Sequence, residues 1–252
     1  MALQIAKTEK QIQAMREGGK ILAQILISLR NYVQPGMTGV EIDKWVGEQI
    51  VSHGATPTYK EYGVDFPGNI CISNNQQIVH AIPTLEPLLK GDVVSFDLTI
   101  TFKDMKVDSA FTMVVGEEPT GAKKLLLSQT QKALNAGIEQ VKPGIDLYMV
   151  SKAIEKVLVK ARLGIVRELV GHGVGQEMHM PPEIPNYALR PLGQIMSPGD
   201  TLAIEPMATL GKPRIQTESD NWSISTRDGS LAAHFEHTVL VTDSGYEILT
   251  KL

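Results

Sequence analysis

A spacing of 108 residues recurs along this chain and limits the architectures open to it. Pro35-Gly36 returns as Pro143-Gly144, and Gly91-Asp92 returns as Gly199-Asp200. Each Pro-Gly is followed by a residue suited to cap a helix, Thr38 in one case and Asp146 in the other, and then by apolar residues at helical spacing. At the same offset "GDVVSFD" falls over "GDTLAIE", which sets Asp97 on Glu205. Two related halves follow, each with helices and then strands. If such halves meet about an approximate two-fold axis, each delivers a carboxylate from the same strand position, and the junction is a natural place for a site.

Asp97 sharpens that expectation. Val93, Val94, Phe96, Leu98 and Ile100 read as a strand buried on both faces or nearly so. An unpaired carboxylate inside such a strand is costly and prefers to be neutral. It stays ionised only beside a Lys, an Arg, a His, a set of N–H donors or a metal ion.

Composition narrows the function classes. The 252 residues are 42% apolar and 21% charged, as in ordinary globular chains. A net charge of −4 argues against nucleic-acid binding by bulk charge. No stretch approaches the ~18 apolar residues of a membrane span. The opening "MALQIAKTEKQIQ" lacks the apolar core of a secretory signal, and the single Cys71 suits a reducing compartment, so a cytoplasmic location is expected.

Thr8 and Gln11 form a capping box ahead of a helix over 8–32, in which Ile12, Met15, Leu22, Ile25, Leu26 and Leu29 share a face. Thr38 and Glu41 suggest a second box, with Ile42, Trp45, Val46 and Ile50 as the apolar side and His53-Gly54 as the end. Residues 55–69 read as loop. Strands are expected at 69–73, 78–82, 93–100 and 108–116, and helices at 121–140 and 146–162.

Four stretches carry chemistry. If "TFKD" (101–104) is a hairpin turn, Asp108 lies opposite Asp97 with Cβ atoms ~4.5–5.5 Å apart. Two like charges at that distance repel unless a cation lies between them. "ELVGHGVGQEMH" (168–179) sets His172 between glycines, with His179 seven residues on, too far for the paired histidines of a helical zinc motif. Glu205 in "TLAIEPM" and Glu236 in "AAHFEHTVLVT" stand in apolar strand contexts. Singly, Asp108 reads more readily as an exposed residue past a turn, and each His as a hydrogen-bonded structural one. Together, four strand-borne carboxylates and at least one His make a hard, oxygen-rich set. Such a set suits two divalent ions better than one tetrahedral zinc.

These motifs, with "IVHAIP" around His80, resemble the methionine aminopeptidases, in the order and spacing of type I, over essentially the whole chain. The resemblance implies an α+β, pita-bread fold with two pseudo-symmetric helix/strand halves around a central antiparallel sheet. It implies one catalytic domain over 1–252, with halves of roughly 1–120 and 121–252. It implies removal of an N-terminal Met, preferring a small second residue, by a hydroxide bridging two divalent ions held by Asp97, Asp108, His172, Glu205 and Glu236. Asp108 and Glu236 would bridge, and Glu205 would also shuttle a proton. His179 would steady the oxyanion, and His80 would lie near the scissile amide. Tyr62, Phe66, Cys71, Met178 and Trp222 would line the methionine pocket, with Tyr59 a further position. The metal stays open among Co, Mn, Fe and Zn. The implied partners are nascent N-termini met by a cytoplasmic monomer, with transient ribosome contact and neither membrane nor nucleic-acid binding. Gln77, Ala81, Val107 and Met178 depart from the usual pattern without removing a ligand. The rivals are a proline-directed aminopeptidase of the same fold, whose usual N-terminal domain this length does not accommodate, and a metal-free binding module.

Overall fold

The computed structural model describes residues 8–61, 65–188, 190–191 and 193–252. Its helices are α1 (Glu9–Tyr32), α2 (Gly39–Ser52), α3 (Gly121–Ile138) and α4 (Tyr148–Lys160). The strands of the first half are β1 (Thr56–Pro57), β2 (Cys71–Asn74), β3 (Gln77–Val79), β4 (Val93–Phe102) and β5 (Met105–Val114). Those that follow α4 are β6 (Gly164–Ile165), β7 (Val170–Gly173), β8 (Met180–Pro185), β9 (Thr201–Ile204) and β10 (Met207–Thr209). The last are β11 (Ile215–Thr217), β12 (Ile224–Thr226), β13 (Ala232–His234), β14 (Glu236–Val241) and β15 (Tyr246–Ile248).

Both capping boxes form. The Thr8 and Thr38 hydroxyls accept the Gln11 and Glu41 amide N–H groups, while those side chains return to the cap backbone. Ile12, Met15, Leu22, Ile25, Leu26 and Leu29 are all buried, and α1 lays them on β4 and β5. Asp146 sits one residue ahead of the cap position of α4. Its carboxylate still accepts the Tyr148 N–H at 2.8 Å, and it also takes the Gly193 N–H at 2.8 Å.

The central sheet is antiparallel and runs β1-β4-β5-β14-β9-β7-β8, with β2 also on β4 and β15 also on β14. Two three-stranded sheets, β13-β10-β6 and β11-β12-β3, flank it. Val94, Phe96, Leu98 and Ile100 join the helix-covered core, so alternation along β4 turns Ser95, Asp97 and Thr99 to the opposite face. That face is buried as well, because the flanking segments fold over it. No helix among the described residues is long and apolar enough to cross a membrane.

Three local expectations change. The segment 55–69 is not all loop: β1 pairs with β4, and a short 3-10 turn follows at Thr58–Lys60. The strand expected at 78–82 ends at Val79, because His80 takes a left-handed φ of 58°. The β4–β5 turn is the two residues Lys103-Asp104, with φ of 48° and 64°, as a two-residue hairpin turn requires. Phe102 therefore pairs with Met105, and Asp97 faces Ala110 rather than Asp108.

Candidate metal centre

The corrected register arranges the candidate ligands in two adjacent rows across the sheet. One row runs from Cys71 through Asp97 and Ala110 to Glu236. Glu205, the residue after β9, extends it. The other runs from Thr99 through Asp108, and from Thr238 through Ala203 to His172. Asp108 and Thr238 join these two pieces: Asp108 N–H donates to the Thr238 hydroxyl at 2.9 Å, and that hydroxyl donates to the Asp108 carbonyl at 2.8 Å. Asp97 and Asp108 are thus diagonal neighbours on one face, close enough to interact though not directly opposed.

Asp108, His172 and Glu236 each offer a ligand atom, all within 4.8 Å of one another. Glu205 joins them, its Oε1 3.3 Å from His172 Nε2. His172 Nδ1 lies 3.0 Å from the Gly173 carbonyl oxygen, which can only accept, so Nδ1 carries a proton and Nε2 is the ring nitrogen turned to the other candidate ligands. Gly171 and Gly173 allow this close packing: a Cβ on Gly171 would meet the Ala203 carbonyl oxygen, and one on Gly173 the Pro181 carbonyl oxygen. Thr99 donates to Asp108 Oδ2 at 2.8 Å and fixes that carboxylate.

The electrostatics call for a cation. Burial, then the neighbouring Asp108, pushes the Asp97 carboxyl well up from its ordinary value. Burial does the same to Glu236, reinforced by Asp108, Glu205 and Asp97. Burial raises Glu205 to about 8 despite the pull of His172. Asp108 Oδ1 and Glu236 Oε1 are buried with no hydrogen-bond partner. Unpartnered carboxylate oxygens beside a preset imidazole fit divalent ions.

The centre floors a cavity of about 270 Å³. Its far wall is the apolar cluster of Tyr59, Phe66 and Cys71, packed by Met178 and Trp222. Phe66 meets Trp222 edge-on at 5.4 Å and Tyr59 at 5.1 Å. Asp220 accepts the N–H groups of Trp222 and Ser223 and so holds the loop that carries the indole. Tyr62 lies outside the described residues. His179 is exposed at the mouth, its ring edge-on to His172 at 4.5 Å. Burial lowers His80 to about 4, helped by His179 and His234, so it is neutral near pH 7. His80, His172, His179 and Glu205 also border a second cavity of about 620 Å³.

The profile of metallopeptidase family M24 matches residues 13–243. Methionine aminopeptidase 1 of Bacillus subtilis is 40% identical over 248 residues, 98% of this chain and 99% of that protein. The chain belongs to the methionine aminopeptidases of family M24. The methionine aminopeptidase of Escherichia coli K12 is 38% identical over 253 residues, 99% of this chain and 94% of that one. The crystal structure of the Thermotoga maritima methionine aminopeptidase superposes with a TM-score of 0.94 at 37% identity, covering 99% and 100% of the two chains. The pita-bread fold around a central antiparallel sheet is therefore shared. Prolidase from Pyrococcus furiosus reaches a TM-score of 0.78 at 21% identity, with 99% of this chain on 66% of that one, and shows the fold alone.

Two residues beside this methionine aminopeptidase centre escaped the sequence motifs. Asp65 lines the first cavity from an irregular segment with no periodicity to mark it. His234 is 1% exposed, and its Nε2 lies 3.4 Å from Glu205 Oε2. Burial lowers its pKa against the pull of Asp97 and Asp108. Its signal was its place two residues before Glu236, the spacing that puts two strand residues on one face.

Proposed function

We propose that this chain is a metal-dependent methionine aminopeptidase, and that the five side chains Asp97, Asp108, His172, Glu205 and Glu236 would hold two divalent ions. The observation that carries the proposal is the junction of an acid-rich floor with an apolar wall in one cavity of about 270 Å³. Ions held there would supply Lewis acidity, lowering the pKa of a water and polarising the scissile carbonyl.

The chain's own groups do the rest. A methionine side chain fills the space between Phe66, Cys71, Met178 and Trp222, where its flexible thioether meets aromatic edges. The free α-amine sits beside Asp97, which confines cleavage to chain ends. His179, exposed at the mouth, donates to the carbonyl oxygen as charge builds there. Neutral His80 hydrogen-bonds near the scissile amide. Glu205 takes a proton from the attacking water and returns it to the leaving amine. The peptide beyond the scissile bond leaves through the second cavity, which His80, His172, His179 and Glu205 border, and a small second residue is preferred.

The substrates inferred here are nascent polypeptide N-termini, met by a cytoplasmic monomer in transient contact with the ribosome; what supports this setting is the activity itself, which acts on new chain ends. Residues 1–252 act as one catalytic unit, supported by a sheet to which both halves supply ligand strands. The test is a peptide panel with metal-stripped protein reloaded in turn with Co, Mn, Fe or Zn. Met release from Met-Ala peptides but not from Met-Lys peptides supports the assignment. Cleavage of Ala-Pro peptides instead overturns it.

A further inference from the structure

The two halves match beyond Asp97 and Glu205. In the first, Gly91 N–H donates to the Val115 carbonyl at 2.8 Å, and Val115 N–H to the Asp92 carbonyl at 2.9 Å. In the second, Gly199 N–H donates to the Val241 carbonyl at 2.9 Å, and Val241 N–H to the Asp200 carbonyl at 2.8 Å. From those fixed points the hairpins align step by step. Thr99 pairs with Asp108 across the first hairpin, and Met207 pairs with His234 at the same step of the second. His234 is thus the pseudo-symmetric counterpart of Asp108.

Its surroundings agree. His234 is 1% exposed, and neither ring nitrogen has a hydrogen-bond partner. Its Nε2 lies 3.4 Å from Glu205 Oε2, while His172 Nε2 lies 3.3 Å from Glu205 Oε1. Two imidazoles therefore bracket the two oxygens of one carboxylate. A buried imidazole without a partner bears its full desolvation cost unless something binds it.

We infer that His234 is a further ligand of the metal centre, so that the centre holds two imidazoles, one beside each oxygen of Glu205. This rests on the metal-dependent function proposed above. A second nitrogen donor moves the donor set away from hard oxygen and favours Fe(II), Co(II) or Zn(II) over Mn(II).

The test uses the full chain, stripped of metal and titrated with cobalt(II) alone, with the hyperfine-shifted imidazole N–H signals read by NMR. Wild type is expected to show two such signals, one lost in His172→Ala and the other in His234→Gln. Cobalt binding in His234→Gln is expected to weaken by about 10-fold or more, at least the loss seen on removing an outer partner of a ligand. A signal pattern and affinity unchanged in His234→Gln overturn the inference, as does a wild type that binds cobalt with the His172 signal alone. If His234→Gln and His234→Asn both fail to fold, the wild-type spectrum decides: two signals support the assignment and one overturns it. A wild type that takes up no cobalt overturns the metallopeptidase function as well.

Discussion

The two halves share a plan and diverge at one step. Gly36 N–H donates to the Leu88 carbonyl at 2.7 Å, as Gly144 N–H does to the Met196 carbonyl at 2.9 Å. The four turn glycines, at 36, 91, 144 and 199, all adopt φ between 81° and 94°. Leu89 N–H reaches Asp92 Oδ2 at 2.8 Å, and Ser197 N–H reaches Asp200 Oδ2 at 2.8 Å. The first hairpin then runs unbroken through ten-residue strands β4 and β5. The second breaks at Glu205-Pro206 and Phe235, and its outer part, β10 with β13, leaves the central sheet. Pro206 has no N–H to continue a ladder. Past the break the chain reaches out through β11 and β12 and brings in Trp222. The unbroken hairpin supplies floor, and the broken one supplies floor and, through Trp222, one part of the wall.

If both halves hold the ions, substitution in either is ruinous. Asp108→Ala in the first half and Glu236→Ala in the second should each lower kcat/KM on a Met-Ala peptide by about 10³-fold or more, beyond the ~10–100-fold of a residue behind a ligand. Near-normal activity in either variant breaks the equivalence. His179→Ala, at the mouth, should cost about 10²-fold to 10³-fold in kcat with little change in KM, as for loss of one oxyanion donor. Trp222→Ala should raise KM and lower kcat/KM by about 10-fold to 100-fold, since burying a Met side chain is worth ~1.5–3 kcal/mol. An unaffected KM would take the wall out of substrate binding.

The floor's buried acids should also make the metal-free protein less stable as pH rises. Glu205 titrates near 8 in the fold and near the ordinary glutamate value when unfolded, so between those values the folded state holds a proton that the unfolded state has released. Stability then falls across roughly pH 4.5 to 8, with a limiting slope of about 1.4 kcal/mol per pH unit for each such proton. Urea midpoints measured at pH 5.5 and 8 check the sign, and a divalent ion should flatten or reverse the trend. The smallest effect compares the helix starts. Thr38→Ala and Asp146→Ala should each cost ~0.5–2 kcal/mol by urea unfolding, the usual range for a lost cap. A much larger loss in one would show that the two turns are not alike in energy.

Much of this was legible in the chain. The 108-residue offset, both capping boxes and the four proposed carboxylate ligands stand on local patterns: a spacing, a cap, a charge inside an apolar run; His172 is marked as a ligand only by the family resemblance. What escaped depends on partners distant in sequence or on backbone detail. Asp97 and Asp108 were expected face to face because the turn was set at four residues; two left-handed residues, Lys103 and Asp104, shift the register by one diagonal step. His80 was expected inside a strand, yet its left-handed φ ends the strand there, a conformation that non-glycine residues hold at some cost. The sequence marks His234 only by its place two residues before Glu236; the pairing of β10 with β13 shows it as the counterpart of Asp108.

The measurement that tests the central claim most directly is Met release from a Met-Ala peptide by the metal-stripped protein during titration with one divalent ion, alongside His172→Ala. Activity that is absent without metal, rises to saturation with bound ion and fails in His172→Ala is the predicted result. Met release at full rate without metal, or the same titration curve in His172→Ala, would contradict a metal-dependent aminopeptidase built on this floor.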